Sequence, residues 1–150
     1  MPRGFTLIEL VVVVVILGIV GAIAIPARSG ATLEYRVQLV ESRVSADLRA
    51  QQKISWFGST QTGITFSPAE NSYIIEPSVI EPTTRKVKLG ISPYRISIDT
   101  VSFVDNIDSV LFVDGVPVTG ASGVMTFSIS GRVFDAVIDS AAATMESAPR

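Results

Sequence analysis

The chain has 150 residues, 12 Lys and Arg against 14 Asp and Glu, and a formal net charge of −2, so it is about one domain long and carries no overall positive field for nucleic acid. It contains no Cys and no His, which excludes disulfides, thiolate metal sites, imidazole acid–base catalysis and the commonest zinc sites. The mean hydropathy of +0.46 comes largely from one N-terminal run.

That run, residues 5–25, is apolar except for Thr6 and Glu9. As an α-helix rising about 1.5 Å per residue it would be about 30 Å long, which matches the hydrocarbon core of a bilayer. The sequence therefore predicts a membrane-spanning helix. A carboxylate near the middle of such a helix costs about 2.5 to 3.5 kcal/mol and somewhat less near an end, so Glu9 requires a specific role.

Two simpler interpretations of the run stay open. Met1, Pro2 and Arg3 form a short basic region, and residues 22–24 read Ala-Ile-Ala, so the run also fits a secretory signal peptide cut by ordinary signal peptidase. A plain single-pass anchor fits its length as well. Neither interpretation explains Glu9, because a charge opposes the apolar character that both kinds of segment need.

The sequence GFTLIEL at residues 4–10 follows a short basic leader, and the apolar run after it ends at Pro26. This arrangement resembles the class III signal of type IV pilins and type II secretion pseudopilins. The resemblance implies that a prepilin peptidase cuts after Gly4 and methylates the new N-terminal residue, Phe5. It also implies that Glu9 becomes the fifth residue of the mature chain.

Cleavage after Gly4 would leave an ammonium group on Phe5, near the Glu9 carboxylate. When staggered helices stack, the carboxylate of one subunit can meet the amine of its neighbour, and in a low-dielectric core such a pair sets a register that Val and Leu cannot. Small residues in the run would let helices approach closely, although Gly is also common in membrane helices generally. These small residues are Gly18, Gly21, Ala22 and Ala24.

Pro26 removes a backbone donor and is expected to kink the helix at the end of the apolar run. The helix is expected to continue to about Phe57, with Gly58 as its C-terminal cap. Apolar residues at spacings of three and four form one stripe. The charged residues that lie mostly off it are Arg36, Arg43, Asp47 and Lys53. The stripe consists of Leu33, Val37, Val40, Val44 and Leu48. Two helices divided near residues 29–30 are the alternative.

Beyond the helix, short runs of β-forming residues alternate with turn residues. The predicted strands are residues 64–66, 73–76, 87–89, 94–98, 101–104, 110–113, 116–118, 125–129 and 132–138. A hairpin loop is predicted at residues 67–72, and tight turns at Asp114-Gly115 and Ser130-Gly131. Pro117 marks an edge strand. The tail at residues 140–150 has no clear period and predicts a frayed end or one short last element.

The sequence therefore predicts an α+β fold, in which a long helix with a transmembrane half and an amphipathic half packs against a C-terminal antiparallel sheet formed as a meander. The segments are the leader at 1–4, the transmembrane and assembly helix at 5–26, its amphipathic continuation at 27–57 and a β-rich head at 58–150. This layout resembles minor pseudopilins of the type II secretion H-subunit kind. The missing Cys pair and calcium loop favour a minor over a major subunit.

The sequence contains no motif that predicts an enzyme active site. Asp105, Asp108 and Asp114 lack the alternate-residue spacing of a calcium loop, and residues 58–63 have two Gly but no following Lys-Ser or Lys-Thr of a phosphate loop. We expect no enzyme activity, no cofactor and no metal site. The basic run at residues 85–88 predicts a solubilising edge strand. DNA capture by this run is the alternative, but no aromatic stacking platform accompanies the charges.

The resemblance implies a structural subunit of a type II secretion pseudopilus or a type IV pilus. Its implied partners are prepilin peptidase, other pilin or pseudopilin subunits, and an inner-membrane assembly platform with a separate motor ATPase; nucleic acid is not expected. The implied location is the bacterial cytoplasmic membrane, crossed once with the head outside the cytoplasm, and then the filament. A DNA-uptake minor pilin and a secreted β-rich protein are the alternatives.

Overall fold

In the computed structural model, one α-helix precedes nine β-strands within the described residues, which are 7–77, 82–103, 107–120 and 122–150. Side chains are described for all of these except residues 21–31. The helix, α1, spans Leu7–Gly58. The strands are β1 Thr62–Ser67, β2 Ser72–Ile75, β3 Arg85–Lys88, β4 Ser97–Ser102, β5 Ser109–Val113, β6 Val116–Pro117, β7 Ser122–Ile129, β8 Arg132–Asp139 and β9 Thr144–Pro149.

The chain divides into two compact units, Met1–Tyr35 and Arg36–Arg150. The second unit contains the C-terminal part of α1 and all of the described strands. Helix α1 runs unbroken through residues 29–30, so the alternative of two helices divided there is wrong. Gly58 is the last residue of α1, and the left-handed residue that follows the helix is Ser59, with a φ of 46°.

The apolar stripe of α1 forms one side of the hydrophobic core in the second unit. Val40, Val44 and Leu48 are fully buried and Val37 is nearly so, whereas Leu33, the first residue of the predicted stripe, belongs to the first unit. The strands supply the rest of the core through alternate side chains, as expected for sheets with one buried face. Fully buried examples from the strands are Ile64, Tyr73, Phe112, Met125, Phe127, Ile129 and Ile138. The predicted stripe is therefore confirmed, and with it the α+β fold class.

The strands form two antiparallel sheets instead of one meander. The first has the order β3-β2-β1-β5-β6 and the second the order β4-β7-β8-β9. After β3 the chain leaves the first sheet, and β4 pairs with β7; β5 then returns and pairs with β1. The local sequence pattern predicts strands but not their partners, which is why the second sheet was missed.

Both predicted tight turns are confirmed as two-residue hairpin loops. Asp114 and Gly115 have φ values of 49° and 77°, and Ser130 and Gly131 have φ values of 51° and 82°. Two consecutive positive φ values are typical of the type I′ turn, whose twist matches that of paired strands. The loop between β1 and β2 includes a 3-10 turn at Pro68–Glu70.

One strand prediction differs from the structure, and one open alternative is decided by it. The separate strands predicted at residues 94–98 and 101–104 are one strand, β4, whose register with β7 shifts between Ile98 and Thr100. For the tail, the expectation of one short last element is confirmed and that of a frayed end is wrong, because β9 pairs with β8 along its whole length, from Asp139 opposite Thr144 to Phe134 opposite Pro149.

Among the described residues, three of the four outer sheet edges have at least one backbone N–H that is bonded outside the sheet or removed by a Pro. At β9, the backbone N–H of Met145 donates to Ser45 Oγ over 2.9 Å, and that of Ser147 donates to Glu41 Oε1 over 2.7 Å. At β4, the N–H of Ile98 donates to Asn71 Oδ1 over 2.7 Å. Strand β6 is an edge strand, as predicted, and its Pro117 has no N–H to donate. Strand β3 has no such contact and no Pro within the described residues.

Candidate functional site

The N-terminal part of α1 exposes apolar side chains on every face. From Leu7 to Val20, the large apolar side chains are 48 to 82 % exposed in the single chain. A soluble helix normally limits such residues to one stripe, and a continuous exposed apolar surface marks a region that contacts a membrane or other protein surfaces. The segment therefore has the character of an interaction surface.

Glu9 lies in the first described turn of α1, and its side chain is exposed among these apolar neighbours. Gly4 and Phe5, the other predicted site residues in this region, lie outside the described residues. Pro26 lies within the continuous helix, but its side chain is outside the described part, so the kink stays a prediction. A Cβ atom added at Gly18 would meet nothing within 4 Å.

Over the residues that the structure describes, no helix is both long and apolar enough to cross a membrane.

A polar cluster in the second unit joins α1 to the first sheet, and the sequence reasoning missed it. Asp47 is only 6 % exposed, although it was predicted to lie mostly off the buried stripe. Its Oδ2 accepts hydrogen bonds from Arg43 Nε over 2.8 Å and from the Tyr73 hydroxyl over 2.5 Å, and its Oδ1 accepts one from Arg85 Nη2 over 3.0 Å. Three donors thus compensate the cost of burying this carboxylate.

The same cluster raises the pKa of Tyr73 above its ordinary value. Burial is the largest cause, followed by the hydrogen bond that the hydroxyl donates to Asp47 and by the negative charge of that carboxylate. All three favour the neutral phenol. The arrangement stabilises the packing of α1 on β2 and β3, and it presents no free nucleophile or base.

The predicted basic run forms β3, at the edge of the first sheet. Arg85 belongs to the Asp47 cluster, and the Lys86 ammonium group contacts the Glu70 carboxylate. That hydrogen bond, with the charge of Lys86, lowers the pKa of Glu70 below its ordinary value. Val87 is buried, whereas Lys88 is exposed. The edge position of the run is therefore confirmed.

Residues 2–25 match the family model described as the prokaryotic N-terminal methylation motif. The match supports the type IV pilin and pseudopilin family. It covers Gly4, Phe5 and Glu9, and it ends directly before Pro26. No curated protein and no solved structure matches the chain.

The methylation motif overlaps the exposed apolar part of α1. In pilin-like subunits it implies processing by prepilin peptidase and assembly with other pilin subunits, and it points to a structural subunit and not to an enzyme. Among the described residues, no group of three or more His, Cys, Asp or Glu side chains is placed to hold a metal ion. Asp105, one of the acids considered for calcium, lies outside the described residues.

Proposed function

We propose that the chain is a minor structural subunit of a type II secretion pseudopilus or a type IV pilus. A prepilin peptidase cuts it after Gly4 and methylates Phe5, and the mature subunit polymerises through its N-terminal helix. The methylation motif at residues 2–25 is the observation that carries this proposal. The α+β fold, with a long helix leading into a β-rich head, is consistent with it.

Before assembly, the segment at residues 5–26 holds the subunit in the cytoplasmic membrane with the head outside the cytoplasm. The apolar side chains exposed on every face of residues 7–20 support this step, because lipid and then neighbouring helices would remove them from water. A separate motor ATPase on an inner-membrane platform supplies the work of extraction.

In the filament, Glu9 sets the register between subunits. Its carboxylate pairs with the methylated amine of Phe5 on a neighbouring chain, since a buried charge costs several kcal/mol unless it has an opposite charge beside it. The apolar side chains supply most of the contact area, and the charge pair selects one stagger among many that Val and Leu would accept equally.

The proposal is tested by the mature N-terminus of the chain produced in cells with and without a prepilin peptidase. With the enzyme, mass spectrometry should find a chain that begins at a methylated Phe5; without it, the leader should remain. Replacement of Gly4 by a bulky residue, G4L, should also leave the leader in place. A mature N-terminus at Ile25 in both strains would contradict the proposal and support the secretory signal peptide instead.

A further inference from the structure

The outer edge of β3 is an open strand edge among the described residues. In the first sheet, β3 pairs with β2 on one side, with Tyr73 opposite Val87 and Ile75 opposite Arg85. No described strand pairs with its other side. An unpaired strand edge offers N–H and C=O groups to any extended chain that can align with it. The edge therefore has the geometry of a binding site for an additional strand.

The register of the hairpin shows which backbone groups face outward. The N–H of Leu89 donates to the C=O of Asn71 over 2.8 Å, so this pair is hydrogen-bonded. Hydrogen-bonded and non-hydrogen-bonded pairs alternate in an antiparallel ladder, so the next hydrogen-bonded pair is Val87 with Tyr73. The N–H and C=O groups of Lys86 and Lys88 consequently point away from β2, toward the open edge.

The charge at this edge indicates what kind of strand would bind. Arg85, Lys86 and Lys88 carry three positive charges within four residues. Two of them already contact carboxylates, Arg85 with Asp47 and Lys86 with Glu70. The Glu70 side chain is 55 % exposed in its ion pair, and an exposed pair of this kind contributes little stability, so an incoming carboxylate can replace Glu70 at small cost.

We propose that the open edge of β3 binds an extended acidic segment of a partner protein by strand addition. The outward backbone groups of Lys86 and Lys88 form the ladder, and their ammonium groups contact acidic side chains of the added strand, as in other cases of β-augmentation. This interaction is separate from assembly through the N-terminal helix and does not depend on the function proposed above.

The test uses the full chain in neutral detergent micelles and a synthetic peptide of about eight residues that alternates Asp with Val. Fluorescence anisotropy should show salt-dependent binding of this peptide and at least tenfold weaker binding of a matched Lys-Val peptide. Hydrogen exchange should show new protection at the amides of Lys86 and Lys88. Binding without that protection would overturn the proposal, as would equal binding of the two peptides.

Four variants separate strand addition from simple charge attraction. K86P removes the Lys86 charge together with an outward N–H that the β2–β3 ladder does not use, whereas K86A removes the charge alone, so K86P should weaken peptide binding at least tenfold more than K86A. K88E should weaken binding to a similar extent, whereas K53E makes the same charge change on an exposed lysine of α1 and should have little effect. Equal effects of K88E and K53E would refute the edge as the site. The proposal would also be refuted if the chain bound a DNA oligonucleotide more tightly than the Asp-Val peptide and K86P did not weaken that binding.

Discussion

The Tyr73 hydroxyl donates a hydrogen bond of 2.5 Å to Asp47 Oδ2, which joins the second strand of the first sheet to the helix. Both residues are buried, and the same carboxylate also accepts hydrogen bonds from Arg43 and Arg85. A single acidic side chain thus connects α1, β2 and β3. Because Tyr73 and Arg85 lie 26 and 38 residues from Asp47 in the sequence, their hydrogen bonds to it form only when the helix and the hairpin have docked.

Replacing Asp47 by Ala should destabilise the folded chain by about 2 to 4 kcal/mol. The substitution leaves the buried Tyr73 hydroxyl without its acceptor, whereas the two arginines are 37 and 43 % exposed and can turn to water. Urea unfolding followed by circular dichroism would measure the change. The exposed Glu146 on β9 provides the control, and E146A should change stability by less than about 0.5 kcal/mol. Equal effects of D47A and E146A would contradict the assigned role.

Replacing Tyr73 by Phe should change how stability depends on alkaline pH. The folded state raises the pKa of this phenol above its ordinary value of 10.0, so it retains a proton that the unfolded chain releases. The stability from Tyr73 is therefore complete below about pH 10 and declines as pH rises above it. The measurement is the free energy of unfolding at pH 7 and at about pH 10.5, and the wild type should lose more of it than Y73F between the two. Parallel losses would show that other groups cause the decline.

Two glycines should respond differently to replacement by Ala. A Cβ atom at Gly63 would lie 2.1 Å from the backbone oxygen of Val110, so G63A must separate β1 from β5 and should cost about 3 kcal/mol or more. A Cβ atom at Gly131 would meet nothing within 4 Å, and only its φ of 82° opposes a side chain, so G131A should cost about 1 to 2 kcal/mol. Thermal unfolding measures the loss of stability in each variant. A larger loss for G131A than for G63A would contradict the prediction.

Replacing Glu9 by Leu should preserve cleavage and methylation but prevent ordered assembly, because the apolar surface stays intact while the proposed register pair is lost. The readouts are the mature N-terminus by mass spectrometry and filaments by electron microscopy in cells that contain the full assembly machinery. E34L makes the same chemical change on α1 outside the methylation motif and should assemble normally. Normal filaments from E9L would refute the role of Glu9 in register.

The helix and most strands could be predicted from the sequence because their signals are local. The spacing of Val37, Val40 and Val44 defines a helical stripe, and Asp114 with Gly115 defines a hairpin turn, whatever the rest of the chain does. The charge of Glu9 inside an apolar run is also a local signal, whereas the roles of Gly4 and Phe5 are implied by the resemblance of residues 4–10 to the pilin signal and stay predictions.

The remaining features depend on contacts between distant residues. Asp47 looks like a solvent-facing acid until Tyr73 and Arg85 approach it from 26 and 38 residues away. The tail lacks a recognisable strand pattern because β9 contains Ser147, Ala148 and Pro149, and it becomes a strand only through its pairing with β8. The division into two sheets also depends on partners that no local window contains.

At the outer edge of β9, the backbone N–H groups of Met145 and Ser147 donate to Ser45 and Glu41 of α1. The helix therefore occupies the position that a fifth strand of the second sheet would take. A fragment of this chain that begins after Ser45 would lack both acceptors, so these two N–H groups of β9 would be unpaired. The β9 edges of two copies could then pair with each other in solution. A well-behaved fragment should therefore begin no later than Arg36, where the second compact unit starts.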